Sequence, residues 1–236
     1  MLRVPIDLLR EGERELDDAT ARYVTRVHRL GRDACFTAFD PDVALEAEVR
    51  ILSIEARVRI AVGEPRPSRN VPTRRTTVIQ AASKGTKIED VLRDATELGV
   101  TRFVVAMSER SVRRPEPSQH ARWRRVAVEA ARQSGRGDVP EIVGPVSLSA
   151  ALGEPGELRW LLDPAGRQAR ELRPSTTTSA VVAIGPEGGF APAELALADR
   201  ASFERVRLGR FVLRTETACA AVLGAIEALS NDDDDG

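Results

Sequence analysis

Cysteine, histidine, lysine and aromatic residues are all scarce in this chain, and each scarcity closes a route. The two cysteines, Cys35 and Cys219, lie far apart with no CxxC spacing, which excludes a disulfide framework and a cysteine-rich zinc site and points to a reducing compartment. His28 and His120 are the only histidines; with no HxxxH spacing and no nucleophile motif nearby, they supply neither a metal site nor the base of a serine triad. Both read as surface residues, and no metal is expected. Cys219, set among alanines, reads as a small buried hydrophobe. No stretch reaches the roughly 20 apolar residues that a membrane helix needs, and the opening MLRVPIDLLREGERELDD is too interrupted by charge for a signal-peptide core. A cytoplasmic protein without membrane attachment is the expectation. Neither GxGxxG nor GK[ST] occurs, which weakens dinucleotide and P-loop readings.

Charge is present but unevenly placed. The formal net charge is -1, yet four of the acids are Asp232 to Asp235, an acidic tail expected to be disordered. Without them the chain carries +3, and between Gly99 and Gly137 nine arginines face three glutamates. A cluster of this kind, rather than an average, attracts a polyanion, because each neutralised phosphate releases counterions. A solvated surface is the plain alternative. The only two lysines, Lys84 and Lys87, sit in one short segment, Ser83-Lys84-Gly85-Thr86-Lys87.

The length of 236 residues suits one large or two small domains. Gly63 to Arg75, rich in proline and polar residues, reads as a linker, and a boundary near residue 70 follows. Before it, one helical segment (Thr20 to Leu30) precedes strand-length apolar runs at Cys35–Phe39, Leu45–Leu52 and Ala56–Val62, a small β-rich domain. After it, strand and helix alternate: Thr77–Ala82, helix Ile88–Leu98; Arg102–Ala106, helix Gln119–Ser134; Leu158–Leu162; Val181–Ile184, helix Pro192–Ala201; Val206–Leu208, helix Thr215–Leu229. Such alternation implies a largely parallel sheet covered by helices. On the helix from Ile88, residues Ile88, Val91, Leu92, Ala95 and Leu98 share one side, and Thr86 with Glu89 forms a capping box. On the helix from Gln119, Trp123, Val126, Ala127, Ala130 and Ala131 form the apolar face, with Arg122, Arg125, Arg132 and Arg136 opposite as a cationic face.

Two turns stand out as sites. Ile184-Gly185-Pro186-Glu187-Gly188-Gly189-Phe190 follows an apolar strand directly, where an α/β sheet places ligands and where missing Cβ atoms let backbone approach them. Leu208-Gly209-Arg210-Phe211-Val212-Leu213-Arg214-Thr215-Glu216-Thr217-Ala218 follows the next strand and opens an alanine-rich helix, with Thr215 a plausible N-cap and Glu216 suited to the first-turn dipole. Each is also readable as an ordinary turn or cap; together they could converge on one small molecule.

With these segments assembled, the chain resembles the RsmE family, SPOUT-class methyltransferases that modify N3 of a uridine in bacterial small-subunit (16S) ribosomal RNA. The resemblance runs in order through Ser83 to Glu89, Ala95 to Val100, Ser108 to Ser111, Glu129 to Arg136, Val139 to Ile142, Ile184 to Phe190 and Leu208 to Ala218. It is weaker at the N-terminus, at Tyr23 to Leu30 and Phe39-Asp40, where Pro41 replaces a family glycine. The resemblance implies an α/β fold of two domains: a PUA-like RNA-binding β-barrel over residues 1–70, then a SPOUT domain with a C-terminal trefoil knot over 71–230. It also implies a homodimer and S-adenosylmethionine as cofactor. The cofactor would be held by Leu162, Ile184, Gly185, Pro186, Glu187, Gly188, Gly189, Leu208, Gly209, Leu213, Arg214, Thr215, Glu216, Thr217 and Ala218.

Methyl transfer to a weakly acidic ring nitrogen needs positioning, and either a base or stabilisation of the charge that develops on the flanking carbonyls. Arg214 and Glu216 are the first candidates, followed by Glu187. The substrate is expected to be 16S rRNA or the assembled 30S subunit, with the target base unpaired because N3 lies on the Watson–Crick edge. RNA contacts are expected from Arg26, Arg29, Lys84, Lys87, Arg110, Arg122, Arg125, Arg132 and Arg136. A knotted methyltransferase acting on another base or RNA, and a non-catalytic RNA-binding ribosome-assembly protein, stay open as alternatives.

Overall fold

The computed structural model describes residues 2–82, 87–111, 116, 118–172 and 179–230. Lys84, the Thr86 half of the capping pair, Arg113, Arg114 and the acidic tail at 231–236 lie outside the described residues, as does the side chain of Lys87. The fold is mixed α/β, in two compact units: residues 1–71 with 131–139, and residues 72–130 with 140–236.

The first unit contains β1 (Arg3–Pro5), β2 (Gly12–Glu15), α1 (Asp18–Arg22) running into a π-helical turn at Tyr23–Val27, β3 (Cys35–Asp40), β4 (Leu45–Ile54), β5 (Val58–Val62) and β6 (Arg66–Pro67). Its sheet has the order β1-β3-β4-β5-β2, with β6 on β4; β1 joins β3 in parallel and the other pairs are antiparallel. Alternation along β3 and β4 turns Phe36, Ala38, Val49 and Ile51 inward to meet Val24 and Ile60, the two-residue period of a half-buried sheet. β1 and β2 escape a hydrophobic-pattern search because they are short, and β2 (Gly-Glu-Arg-Glu) is exposed throughout. Part of the segment expected as linker is ordered, since Arg66 and Pro67 pair with Glu46 and Leu45. The turn that follows α3 is fastened within this unit: the Asn70 side chain donates to Gly135 O at 2.7 Å and Gly137 N–H to Asn70 O at 2.8 Å.

In the second unit the sequence alternation is realised as a fully parallel sheet. Its elements are β7 (Arg75–Ala81), α2 (Lys87–Glu97), β8 (Arg102–Met107), α3 (Gln119–Ser134, whose last turn belongs to the first unit), β9 (Glu141–Ser147), α4 (Leu148–Ala151), β10 (Leu158–Gln168), β11 (Ser179–Ile184), α5 (Pro192–Arg200), β12 (Glu204–Arg207) and α6 (Thr215–Ser230). The strand order is β12-β10-β11-β7-β8-β9. The central strands β7, β8 and β11 are almost wholly buried, as expected when helices cover both faces. β9, unexpected from sequence, is an edge strand interrupted by Gly144-Pro145, residues that break a strand pattern and that an edge tolerates. The chain enters α6 from the outermost strand β12, yet α6 packs against α2 and contacts β11. Residues 208–214 therefore bring the chain back past β10 toward the middle of the sheet.

Two helix faces depart from the expected wheels. On α2, Ile88, Val91, Leu92 and Ala95 are buried, but Leu98 is 44% exposed because the helix ends at Glu97. Glu89, off the apolar stripe, is nonetheless 8% exposed and accepts from Arg122 at 2.7 Å. On α3, Trp123, Ala127, Ala130 and Ala131 are buried, but the four-arginine open face does not form. Arg136 lies beyond the end of the helix, 5% exposed and bonded to Asp138 at 2.6 Å. The Arg132 guanidinium lies 4.6 Å from the Tyr23 ring centroid, and burial lowers its pKa.

Asp94 on α2 carries a carboxyl raised above the usual 3.8, first by burial, then by the charge of Glu97, with Arg93 opposing and Asp90 and Glu216 adding to the rise. A raised acid stabilises the fold only below its unfolded pKa; that contribution is lost as pH rises through the folded value, leaving an ionised Asp94 unfavourable at neutral pH. Asp94→Asn is therefore expected to raise the Tm at pH 7 by on the order of 2 °C, with the gain shrinking as pH falls toward 3.8. Calorimetric scans at pH 4 and pH 7 check this, and a gain that is equal at both would contradict it.

Candidate active site

Three strand ends in the second unit open onto one cavity of about 640 Å³, within the range of small-molecule sites. From β10 come Leu162, Asp163, Pro164 and Ala165; from the end of β11 come Ile184 to Phe190; from β12 and its loop come Val206 to Leu213, followed by Arg214, Thr215 and Ala218, with Leu195 of α5 completing the wall. All of the residues expected to hold a cofactor line this cavity except Glu216 and Thr217.

The loop after β11 is built by backbone. Gly189 N–H donates to Pro186 O at 2.8 Å, closing a tight turn, and Gly189 has φ +67, a conformation that disfavours any residue with a Cβ. Two neighbouring segments hold this turn. Arg110 Nη1 donates to Gly188 O at 2.6 Å. Glu194, 7% exposed, accepts from Ala191 N–H at 2.8 Å through one carboxylate oxygen and from Glu109 N–H at 2.7 Å through the other. Arg110, expected as an RNA contact, thus has its guanidinium on the glycine loop. Glu194 was missed from sequence, although Glu two residues after Pro192 is the third position of a helix start, a recognised signal.

β10 contributes through an irregularity. Its register against β12 shifts between Leu162 and Arg167, so residues 163–166 leave the ladder as a small loop. Asp163 Oδ1 accepts from Ala165 N–H at 2.9 Å, the side-chain turn that an Asp-Pro sequence favours. A Cβ on Gly166 would fall 2.5 Å from the Arg205 carbonyl carbon, so the loop can fold back onto β12 only with glycine there. Asp163, Pro164 and Ala165 extend the lining beyond Leu162, and the Asp-Pro pair is the sequence signal that marks them.

The start of α6 sorts the remaining candidates by angle. Ala218 N–H donates to Arg214 O at 2.7 Å, which puts Arg214 at the cap and Thr215 inside the first turn rather than at the cap itself. Thr215 and Ala218, three apart, face the cavity and are nearly buried. Glu216 and Thr217 fall on other faces of the turn: the charge of Glu216 acts on Asp94 of α2, and its Oε2 is buried without a partner among the described residues. The expected catalytic pair is therefore separated. Arg214 is exposed at the cavity and Glu216 is turned from it. Arg207, Arg210 and Arg214 line the cavity and form no ion pair with a described residue. Cys219 is fully buried on α6; burial, with the charge of Asp94, pushes its thiol far up, so it is no nucleophile.

Of the other expected RNA contacts, Arg26, Arg29 and Arg125 are exposed, whereas Arg122, Arg132 and Arg136 have the partners described above. His28 is exposed and stacks edge-on with Tyr23; His120 is exposed and bonds Ile142 O at 2.9 Å.

Comparison with known proteins fits this geometry. Residues 69–227 match the model of a family described as an RNA methyltransferase domain. The ribosomal RNA small subunit methyltransferase E of Aquifex aeolicus is 35% identical over 161 residues, covering 66% of this chain and 69% of that protein. The same-named protein of Synechocystis is 33% identical over 160 residues, covering 65% of this chain and 53% of that protein, so the match spans about half of that relative's length. Among solved structures, a ribosomal RNA small subunit methyltransferase E from Neisseria gonorrhoeae bound to S-adenosylmethionine superposes with a TM-score of 0.84 at 28% identity, covering 97% of this chain and 96% of that one. A methyltransferase from Legionella pneumophila with bound S-adenosylmethionine gives 0.83 at 27% identity, covering 96% of each chain.

Glu194→Gln leaves one acceptor for two N–H donors and turns an amide N–H₂ toward the other. It is expected to cost about 2 kcal/mol of unfolding free energy, the scale of a lost charge-assisted bond. Urea titration reads this as a lower midpoint with unchanged slope; an unmoved midpoint would show that the two bonds contribute nothing net.

Proposed function

The chain belongs to the RNA methyltransferase domain family, and we propose that it methylates N3 of a uridine in 16S rRNA of the bacterial small ribosomal subunit, using S-adenosylmethionine. The observation that carries this reading is the convergence of loops from three neighbouring strands on one glycine-walled cavity, with arginines at its side that form no ion pair with a described residue. The S-adenosylmethionine in the Neisseria and Legionella structures supports the cofactor assignment. So does the lining here: Cβ atoms built on Gly189 and Gly209 meet nothing within 4 Å, leaving backbone free to contact a ligand.

In this reading Ile184 to Gly189, Leu208, Gly209, Leu213, Thr215 and Ala218 hold the cofactor. When bound, it supplies an electrophilic methyl group on a positively charged sulfur. The protein's share is positioning and charge. Val206, Phe190 and Leu195 make the cavity floor apolar, which excludes water from the reacting atoms. Arg214, fixed at the start of α6, stabilises the negative charge that spreads onto the uracil carbonyls as N3 loses its proton. In this reading Glu187, also at the cavity, takes that proton, and Glu216, which does not line the cavity, is left out of the chemistry. RNA outside the target is held by Arg26, Arg29, Lys84, Lys87, Arg110, Arg122, Arg125 and Arg132, with Arg136 left out because its guanidinium is buried against Asp138. The finer architecture belongs to the same proposal: a PUA-like barrel, a C-terminal trefoil knot and a homodimer working in the cytoplasm on rRNA or 30S particles. The return of α6 from the edge strand to α2 and β11 supports the knot.

Transfer of labelled methyl to 30S particles from a strain lacking the modification, followed by nucleoside mass spectrometry, tests the reading. Label in 3-methyluridine is the expected result; label in another nucleoside moves the chain to a different RNA target. Absence of both cofactor binding and transfer would leave a non-catalytic assembly protein. Arg214→Ala is expected to lower kcat by about 10²- to 10³-fold and to shift the pH–rate profile toward higher pH. An unchanged kcat would remove Arg214 from the chemistry.

A further inference from the structure

This chain has few aromatic side chains, and all but one are inside. Phe36, Phe39, Phe103, Phe190, Phe203, Trp123 and Trp160 are buried and Tyr23 is half-buried, whereas Phe211 is 79% exposed. Val212 beside it is 78% exposed. Both belong to the cavity wall, in the loop that returns from β12 to α6. Leaving a phenylalanine and a valine in water forgoes the stabilisation that burial would give them, and no described residue covers them. On either side stand Arg210 and Arg214, exposed and without an ion pair among the described residues.

An exposed apolar ring flanked in sequence by two arginines that form no ion pair with a described residue has a chemical complement in an unpaired nucleotide, which offers a π-face to the ring and phosphates to the cations. A second copy of this chain is a poorer complement, because a twofold contact through the loop would set the same cationic rim against itself. We propose that Phe211, between Arg210 and Arg214, is a stacking platform that holds an unpaired nucleobase of the RNA substrate beside the methyl-transfer cavity. The inference rests on the methyltransferase reading and adds a positioning residue to it. Extruding a base from its stack exposes π-surface, and Phe211 gives that surface a partner within the same loop that carries Arg214.

The test compares Phe211→Ala, Phe211→Leu and Phe211→Trp with wild type, in methyl transfer to unmodified 30S particles and in calorimetric titration with S-adenosylmethionine. The ring is exposed, so the thermal midpoint should stay at the wild-type value. With Ala, kcat/KM for 30S particles is expected to fall roughly 10- to 100-fold, the range of one base–aromatic stack, while cofactor Kd stays within about threefold. Leu should fall as Ala does, and Trp should keep near wild-type kcat/KM. Full activity in the Leu variant would reduce Phe211 to apolar cover and overturn the proposal. A parallel loss of cofactor affinity would overturn it by placing the ring on the cofactor, and a loss of oligomeric mass by light scattering would overturn it in favour of a subunit contact. If wild type itself neither binds the cofactor nor transfers label, the methyltransferase reading fails; if wild type turns over and Phe211 is indifferent, only the stacking platform is lost.

Discussion

One buried carboxylate holds the site together. Glu194 accepts from the N–H of Ala191, at the start of its own helix, and from the N–H of Glu109, 85 residues earlier, after β8. A carboxylate at this depth is tolerable only when its oxygens are satisfied, and two backbone donors do that without a counter-charge. The consequence is mechanical. The turn at 108–111 is pinned to the start of α5, and from that turn Arg110 reaches Gly188 O. The glycine loop therefore hangs between two fixed points although its own residues have little side chain to pack.

The rest of the site follows from the order of the strands. In a parallel sheet neighbouring strands deliver their carboxyl ends to the same edge, so the loops after β11 and β12 meet there, and the irregularity within β10 adds residues 163–165 to them. Because β12 lies outside β10 while α6 lies against α2 and β11, the connection between them has to pass the mouth that the other two loops form. That passage brings Arg210, Phe211 and Arg214 to the cavity. Glycine appears where backbone must turn or come close, as at Gly189 with its positive φ and Gly166 against β12.

Legibility in the sequence tracked how local the cause was. The alternation of β-branched runs and amphipathic helices displayed β7 to β12 apart from β9, because burial on both faces or on one stripe writes itself into a short window. β1, β2 and β9 were invisible because an edge strand need not be apolar, and Arg3–Pro5 and Gly12–Glu15 gain their place from partners far along the chain. Most of the cavity lining was legible as glycine-bearing turns after strands. Asp163 to Ala165 was not, since the shift of register that expels those residues depends on β12. Glu216 departs from expectation for a geometric reason: two residues after Arg214 in sequence, it is rotated by the helix toward Asp94.

Charge shows the same limit most clearly, and shows what the arginines are for. A count over residues 99–137 treats every guanidinium as equal, but availability depends on pairing. Arg122 has Glu89, Arg136 has Asp138, Arg132 has the Tyr23 ring and Arg110 has a carbonyl. Those contacts hold helices and turns in place, so the helix that looks most cationic in sequence spends much of its charge on structure. Arg207, Arg210 and Arg214 come from a second arginine-rich stretch, four arginines and no acid over residues 205–214, and at the cavity they form no ion pair with a described residue. An unpaired cation in a concave, partly apolar setting exerts more field on an incoming anion than a paired one on an open helix. The cations most available at the cavity are therefore the ones that the fold delivers to the ends of its strands.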